Sequence, residues 1–513
     1  VKIELFSHHF VAYPRNDLEK RICVMFALRF AEYSFREPGY KGVKRMVKLY
    51  AGSNSSRTEF RYHINAYPDF YGVMKQYGLT SDEIEEVKYD MYVPQHIEYD
   101  LNPEKQPREM QPGIIDFIQE PGHIKQVGMQ TGKGKTFTAL YTVAMMMVRC
   151  MIVLKKGYIH RWFPDLLGPD SILRLEPDEL LVVRGAAHLS EIIIDAVNNG
   201  GLPENVKVIL VSSSIMDAYY DHYDEMNGDM SLYGGVHPSA LMALFGIGVR
   251  ILDEYHQLLH INFRFDLYTH LYKGIYLSAT LVPATPLIDL VYRTVFPPDT
   301  RANVGDYDKY IEMTGYMYGL QNDKIRWTQR GSTDYSQVAY EESIMRHEKS
   351  MMRYLEWILD HVKRRFIDLS DRDDKQKALL FFGTIEFCTV VRDYLIEKLD
   401  NDTISIGRFV SLDPYDTVLE SQIIISTHGS LGTAHDIPDL RVCFKFIGMG
   451  KEDANIQNAG RLRKLARYPN IVPQYHFMTN RNIPQHLRYH ETMRKLFTPR
   501  TLKFRELETD FLL

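Results

Sequence analysis

Short apolar runs alternate with longer amphipathic stretches along most of this chain, a pattern that predicts parallel strands joined by helices. The runs fall at 151–154, 208–211, 249–252, 275–277, 378–382 and 423–425, with a further strand-like stretch at 124–127 and strand positions around Val442 and Tyr475. A strand covered on both faces reads as a continuous apolar run rather than an alternation, so these runs predict sheets buried on both sides. Residues 138–148 read as a buried helix. The apolar stretch continues to Leu154 but is broken by Arg149, which divides it into that helix and the next strand.

The first hundred residues follow a different pattern. A strand is expected at 2–6, a helix with Asp17 as its N-cap running through Phe30, and alternating stretches at 44–50 and 59–63. Residues 101–107, with two prolines, read as a linker. Residues 297–336 are rich in Gly, Asp, Thr and Tyr and read as an extended connection. Residues 484–497 read as a helix, with Arg488, Arg494, Lys495, Arg500, Lys503 and Arg505 making it and the tail basic. The expected divisions are therefore 1–102, 103–296, 297–336, 337–480 and 481–513.

Composition adds limits. A chain of 513 residues suggests about three domains, and 45% hydrophobic with 25% charged residues is ordinary for a globular protein. With 61 Lys+Arg against 66 Asp+Glu the net charge is −5, so any nucleic-acid contact has to be local, along a cleft. Cys23, Cys150, Cys388 and Cys443 are scattered without metal-site spacing and are expected to be buried, reduced thiols of a cytoplasmic protein. Neither a membrane span nor a secretory signal is expected.

The chemistry begins at Met129-Gln130-Thr131-Gly132-Lys133-Gly134-Lys135-Thr136. Gly132, Lys133 and Gly134 form a turn whose backbone N–H groups can face a phosphate. Lys135 reaches the terminal phosphates, and the Thr136 hydroxyl can ligate Mg²⁺. The order of strand, loop and helix is what phosphate binding at a helix N-terminus requires, so the chain is expected to bind ATP. The run 249–252 then ends in Asp253-Glu254-Tyr255-His256. Asp253 can hold Mg²⁺ there, and Glu254 can orient and deprotonate a water.

Taken together, these two motifs resemble those of the superfamily 2 helicases and translocases, and further matches follow in the family's order. Arg108-Glu109-Met110-Gln111 resembles its adenine-reading motif, with Gln111 facing the purine, and Ser278-Ala279-Thr280 resembles the motif that couples hydrolysis to nucleic-acid movement, together with His256. Gly383-Thr384 stands in the place of the fourth motif. Thr427-His428 leads on to Asp436, an acid that the resemblance places at the nucleotide ribose. Gln457, Arg461 and the pair Arg463-Lys464 resemble the sixth motif, which supplies a cation to the γ-phosphate. Counting from Gly460 puts Lys464 at the family's last arginine position, on one helix face with Arg461, while Arg463 carries the planar guanidinium. The resemblance further implies backbone-phosphate contacts at Lys155, Lys156, Arg184, Ser213, Gly383, Thr384, Thr427 and His428.

The layout is most similar to the phage branch-migration helicases of the UvsW type. That implies an α/β protein of two tandem RecA-like domains, with parallel sheets and flanking helices, behind a small N-terminal α+β accessory domain. It also implies ATP hydrolysis with Mg²⁺ and DNA as the partner, whether single-stranded, forked or four-way. A monomer in the host-cell cytoplasm, alongside replication or recombination proteins, completes the expectation. RNA as the track, duplex translocation without strand separation, and a nucleotide-gated scaffold stay open as alternatives. In residues 1–102, Lys41, Lys44, Arg45, Lys48, Arg57 and Arg61 are interleaved with Tyr40, Tyr50, Phe60 and Tyr62. That mixture suits phosphate contact plus base stacking, and equally a solvated face over an aromatic core.

Overall fold

A computed structural model describes residues 1–34, 45–130, 132–278, 285–302, 308–329, 331, 333–399, 404–410, 413–431 and 437–513. Among these residues, the first sheet region contains β1 (Lys2–Leu5), β2 (His9–Tyr13), β3 (Ala31–Ser34), β4 (Arg45–Leu49), β5 (Gly52–Ser53), β6 (Phe60–His63) and β7 (Glu85–Lys88). Five of these make a mixed sheet in the order β5-β6-β2-β1-β7, and β3 pairs with β4 separately. The helix Asp17–Leu28 begins one residue earlier than expected, because Asn16 rather than Asp17 is the N-cap and accepts from the Glu19 N–H at 2.9 Å.

The second sheet is parallel throughout. It comprises β8 (Ile124–Gly128), β9 (Arg149–Leu154), β10 (Leu180–Val182), β11 (Val208–Ser212), β12 (Ile247–Leu252) and β13 (Lys273–Ser278), in the order β10-β11-β9-β12-β13-β8. The third sheet is also parallel. It holds β14 (Glu312–Gly319), β15 (Lys377–Phe382), β16 (Ile406–Phe409), β17 (Ile423–Thr427), β18 (Leu440–Lys445), β19 (Gln474–Asn480) and β20 (Lys503–Leu512), in the order β16-β17-β15-β18-β19-β14-β20. The architecture is that of two tandem RecA-like α/β units with a small N-terminal α+β sheet, the fold class expected. The chain divides into two compact units, one of Val1–Met129 with Lys133–Gly305 and one of Gln130–Gly132 with Asp306–Leu513.

Two expectations are corrected by the third sheet. Residues 297–336 are not simply a connection, because β14 lies inside that sheet between β19 and β20. The C-terminal residues are not a free basic tail either, because β20 pairs with β14 over most of its length. β20 is an edge strand whose charged side chains face outward, so it lacks the continuous apolar run that marks a central strand.

Strand side chains alternate between two cores in the first unit. Ile152 and Leu154 of β9 and Val208 and Leu210 of β11 enter the core beneath the helices Gln111–Gln119 and Lys135–Met146. Met151, Val153, Ile209 and Val211 enter the opposite core, which runs without a break into Ile3, Phe10, Phe26, Tyr62 and Phe70 of the N-terminal region. The N-terminal sheet therefore shares its interior with the parallel sheet. Tyr50, Phe60 and Tyr62 are buried there, and Arg61 is buried with its guanidinium 4.9 Å from the Tyr268 ring and paired to Glu59. Those four residues are core and are not the stacking and phosphate-binding face that their sequence suggested. Tyr40, Lys41 and Lys44 lie outside the described residues.

Three strands begin with a buried cation. Arg149, first in β9, donates to the carbonyls of Val206, Phe245 and Pro203 at 2.7–2.8 Å. Lys273, first in β13, donates to Glu120 and Gly122, and Lys377, first in β15, to Val418, Leu419 and Ser421. These are carbonyls left over where neighbouring helices and turns end, and each cation satisfies them at the amino edge of its sheet. The four cysteines are buried and free, as expected. No described helix is long and apolar enough to cross a membrane.

Candidate functional site

The phosphate loop connects β8 to the helix Lys135–Met146, and its glycines are required by geometry. Gly132 has φ +86° and Gly134 φ +83°. Gly134 caps the helix, and a Cβ on it would stand 2.4 Å from the Gln111 amide nitrogen. Only glycine meets both demands. The helix N-terminus then points its unpaired N–H groups at whatever the loop encloses.

Gln111 is placed differently from its expected role. Its amide nitrogen donates to the Lys133 carbonyl at 3.0 Å and its oxygen accepts from the Arg108 N–H at 2.8 Å. The side chain is buried, and both halves of the amide brace the loop, each using one of its two hydrogen-bonding positions. Lys133 lies 3.7 Å from Glu109.

Asp253 and Glu254 follow β12 directly, and β13 separates that strand from β8. Lys135 Nζ donates to Glu254 Oε1 at 3.0 Å. Glu254 has φ +47°, a left-handed conformation that costs a non-glycine residue of order 1–2 kcal/mol. That turn swings its carboxylate back toward Lys135. Asp253 accepts from the Glu254 N–H at 2.9 Å and from the Trp162 indole N–H at 3.3 Å. Burial pushes the Asp253 carboxyl up to about 6, Glu254 adds to the rise, and Lys135 opposes it. Trp162 was not anticipated from sequence; the usable signal is that a buried indole needs an acceptor.

His256 lies in the turn Tyr255–Leu258, with Nδ1 3.5 Å from Glu254 Oε2 and 2.9 Å from the Ser278 hydroxyl at the end of β13. Carboxylate, imidazole and strand-end hydroxyl thus form a chain across two strands. Ala279 and Thr280 lie outside the described residues.

Lys155 and Lys156 follow β9 and are exposed, and Arg184 is exposed after β10. Ser213 is buried at the first turn of the helix Ser213–Glu225, bordering a small cavity with Lys155, Asp253 and Glu254. It is therefore not a surface contact; the exposed residue of that turn is Ser214, whose hydroxyl lies 3.0 Å from that of Ser212.

In the second unit, the Gly383 and Thr384 N–H groups and the Thr384 hydroxyl all donate to the buried Glu341 carboxylate at 2.7 Å. The expected phosphate contacts at these residues are corrected, because an internal anion takes the donors. Thr427 Oγ1 accepts from the Ser430 N–H at 3.3 Å, and His428 Nδ1 lies 2.9 Å from Asn458 Oδ1. Asp436 lies outside the described residues.

The sixth motif also departs from its expected geometry. The helix Glu452–Ala459 carries Gln457 and ends at its C-cap, Gly460, so the three cations do not share a regular helix. Arg461 is buried, Arg463 is partly exposed, and Lys464 is exposed and paired to Asp308 at 2.9 Å. Register along a helix therefore does not select Lys464.

No protein-family model and no curated protein matches the chain. Among solved structures it is similar to S. cerevisiae Dbp5 bound to RNA and ADP BeF3, at 11% identity and TM-score 0.48, covering 79% of this chain and 90% of that one. It is also similar to Mss116p, with its NTE and C-tail deleted, bound to ssRNA and AMP-PNP, at 14% identity and TM-score 0.47, covering 82% of each chain.

Proposed function

We propose that the chain is an ATP-dependent DNA helicase or translocase of superfamily 2 that unwinds or branch-migrates forked and recombination intermediates. The observation that carries the ATPase part is the Lys135–Glu254 pair beside Asp253, at the carboxyl ends of parallel strands where such sheets bind ligands. The loop and helix N-terminus receive the phosphates. Lys135 exchanges its carboxylate partner for a phosphate oxygen, which releases Glu254 to take a proton from the attacking water.

Thr136 and Asp253 suit Mg²⁺. Both offer hard oxygen donors, and Asp253 stands directly after β12 beside Glu254. When bound, the ion would neutralise charge building on the transferred phosphoryl group. His256 and Ser278 supply the link from Glu254 to β13, along which hydrolysis would be coupled to movement on the exposed Lys155, Lys156 and Arg184.

The choice of DNA rests on the resemblance in sequence to UvsW-type enzymes, and one experiment tests it. ATP turnover is measured with single-stranded, duplex, forked and four-way DNA and with RNA in parallel. Greatest stimulation by branched DNA is expected. Stimulation by RNA alone would replace the DNA assignment, and absence of turnover on every substrate would leave a nucleotide-gated binding protein.

A further inference from the structure

Arg250 lies three residues before Asp253 on β12 and is 1% exposed, which is exceptional for an arginine in the middle of a sheet. Its guanidinium pairs with the fully buried Asp266, reaches Thr269 Oγ1 at 2.5 Å, and lies 3.3 Å from the Tyr276 hydroxyl. Tyr276 in turn donates to Asp266 at 2.8 Å. One polar cluster thus joins β12, which delivers Asp253 and Glu254, to β13, which delivers Ser278, and to the helix Leu259–Asp266, which follows the turn holding His256. The strands that deliver Glu254 and Ser278 and the helix that follows the His256 turn are all tied to it.

The cluster is completed from the N-terminal sheet. His63, last in β6 and 1% exposed, places Nε2 3.8 Å from the second Asp266 oxygen. Its Nδ1 accepts the Asn65 N–H at 3.3 Å, so the neutral ring carries its proton on Nε2, facing that oxygen. Among the described residues neither atom has a hydrogen-bond partner, and the ring N–H faces the carboxylate oxygen that the Arg250 pair leaves unbonded. Around them the N-terminal region is fastened at separate points. The Leu271 N–H donates to Ser7 Oγ at 2.7 Å, and Asn65 Nδ2 donates to the Val295 carbonyl at 2.8 Å.

We infer that His63 is a positioning residue for the ATPase centre: through Asp266 and Arg250 it holds β12, β13 and the His256 turn in the arrangement that hydrolysis uses. The N-terminal sheet is then an input to turnover as well as a part of the fold. This rests on the ATPase reading for its kinetic consequence but not for its structural one. A fully buried charged pair transmits a displacement because neither partner can relax independently.

The test uses the full chain and compares His63→Leu, His63→Gln and Ser7→Ala. Gln can accept from the Asn65 N–H and donate to Asp266, whereas Leu can do neither, and Ser7→Ala loosens the same seam without touching the cluster. With no nucleotide present, His63→Leu is expected to speed amide exchange in peptides spanning 253–258 and 273–278 by about tenfold, with His63→Gln and Ser7→Ala close to the parent. In turnover, His63→Leu should lower kcat by about three- to thirtyfold while nucleotide affinity stays within about twofold. Parent-like exchange in His63→Leu, or an equal change in Ser7→Ala, overturns the inference. If His63→Leu does not fold, the isosteric Asp266→Asn reads the same linkage, and unchanged exchange at 253–258 overturns it equally. Failure of the parent to hydrolyse ATP would count against the proposed function alone, since the exchange measurement needs no turnover.

Discussion

Lys135 and Glu254, 119 residues apart in the chain, form an ion pair at 3.0 Å, so the cation proposed to bind phosphate and the carboxylate proposed to activate water neutralise each other. A polyphosphate has to compete with Glu254 for Nζ, and that competition separates two defects. Lys135→Ala should lose most triphosphate affinity. Glu254→Gln should bind at least as tightly as the parent, because a weaker acceptor now holds Lys135, while turnover falls by roughly 10²- to 10⁴-fold. Titration with a fluorescent nucleotide and phosphate release in one preparation checks both. Parent-like turnover in Glu254→Gln would remove it from the base role.

Buried histidines make the first unit sensitive to acid. Burial, with Arg250 adding to it, lowers His63 to about 3 and His8 well below its ordinary value, and burial with Arg61 lowers His9 likewise. Well above pH 6.5, from about pH 7.5, each is neutral in folded and unfolded chains and contributes no slope. Below pH 6.5 the unfolded chain takes up protons that the folded one refuses. Stability is thus lost as pH falls, by up to about 1.4 kcal/mol per pH unit for each histidine. Asp253 and Asp266, each raised to about 6, act in the opposite sense below that pH and offset part of the loss. Thermal unfolding should show a Tm level above about pH 7.5 that declines as pH falls through about 6.5. A Tm independent of pH down to 5 would mean that these rings are hydrated.

Lys377 gives a sharper test of the cations that open the strands. Lys377→Met keeps the length of the stem but leaves the carbonyls of Val418, Leu419 and Ser421 without their donor. The expected cost is about 2–4 kcal/mol, because unsatisfied buried acceptors lose their solvation without compensation. Denaturant unfolding of the second unit reads it. A change under about 0.5 kcal/mol would show that water replaces the ammonium group.

How much of this was legible in sequence follows from where each side chain faces. β9, β11, β12, β13, β15 and β17 were readable because parallel strands covered on both faces are apolar throughout. Arg149 looked like an interruption and is instead the first residue of β9, its charge turned onto carbonyls that sequence cannot place. β20 was hidden because an edge strand keeps its charges outward, and β14 because Gly315, Tyr316 and Tyr318 resemble connecting sequence. The same limit applies at the site. The loop glycines answer a local demand for positive φ, and the acids after β12 stand where an apolar run ends, so both are visible in the sequence. The contacts of Gln111 and of the Gly383-Thr384 pair were not legible because their partners, Lys133, Arg108 and Glu341, are brought to them by the fold.

The cation of the sixth motif can be assigned by the same reasoning. Counting along a helix favoured Lys464, but the helix Glu452–Ala459 has ended by that point. Lys464 is exposed and engaged with Asp308, an ion pair of a kind that contributes little wherever it forms. Arg461 is 6% exposed. Arg463 is partly exposed and carries the planar fork that spans two phosphate oxygens, which an ammonium group cannot. Arg463→Ala should therefore lower ATP turnover by about a thousandfold or more with nucleotide binding retained, while Lys464→Ala stays within about threefold of the parent. Arg461→Ala should instead lower Tm, because it removes a buried side chain from the interior of the second unit. Turnover and thermal unfolding on the three variants separate these outcomes. A larger turnover loss in Lys464→Ala than in Arg463→Ala would return the role to the lysine.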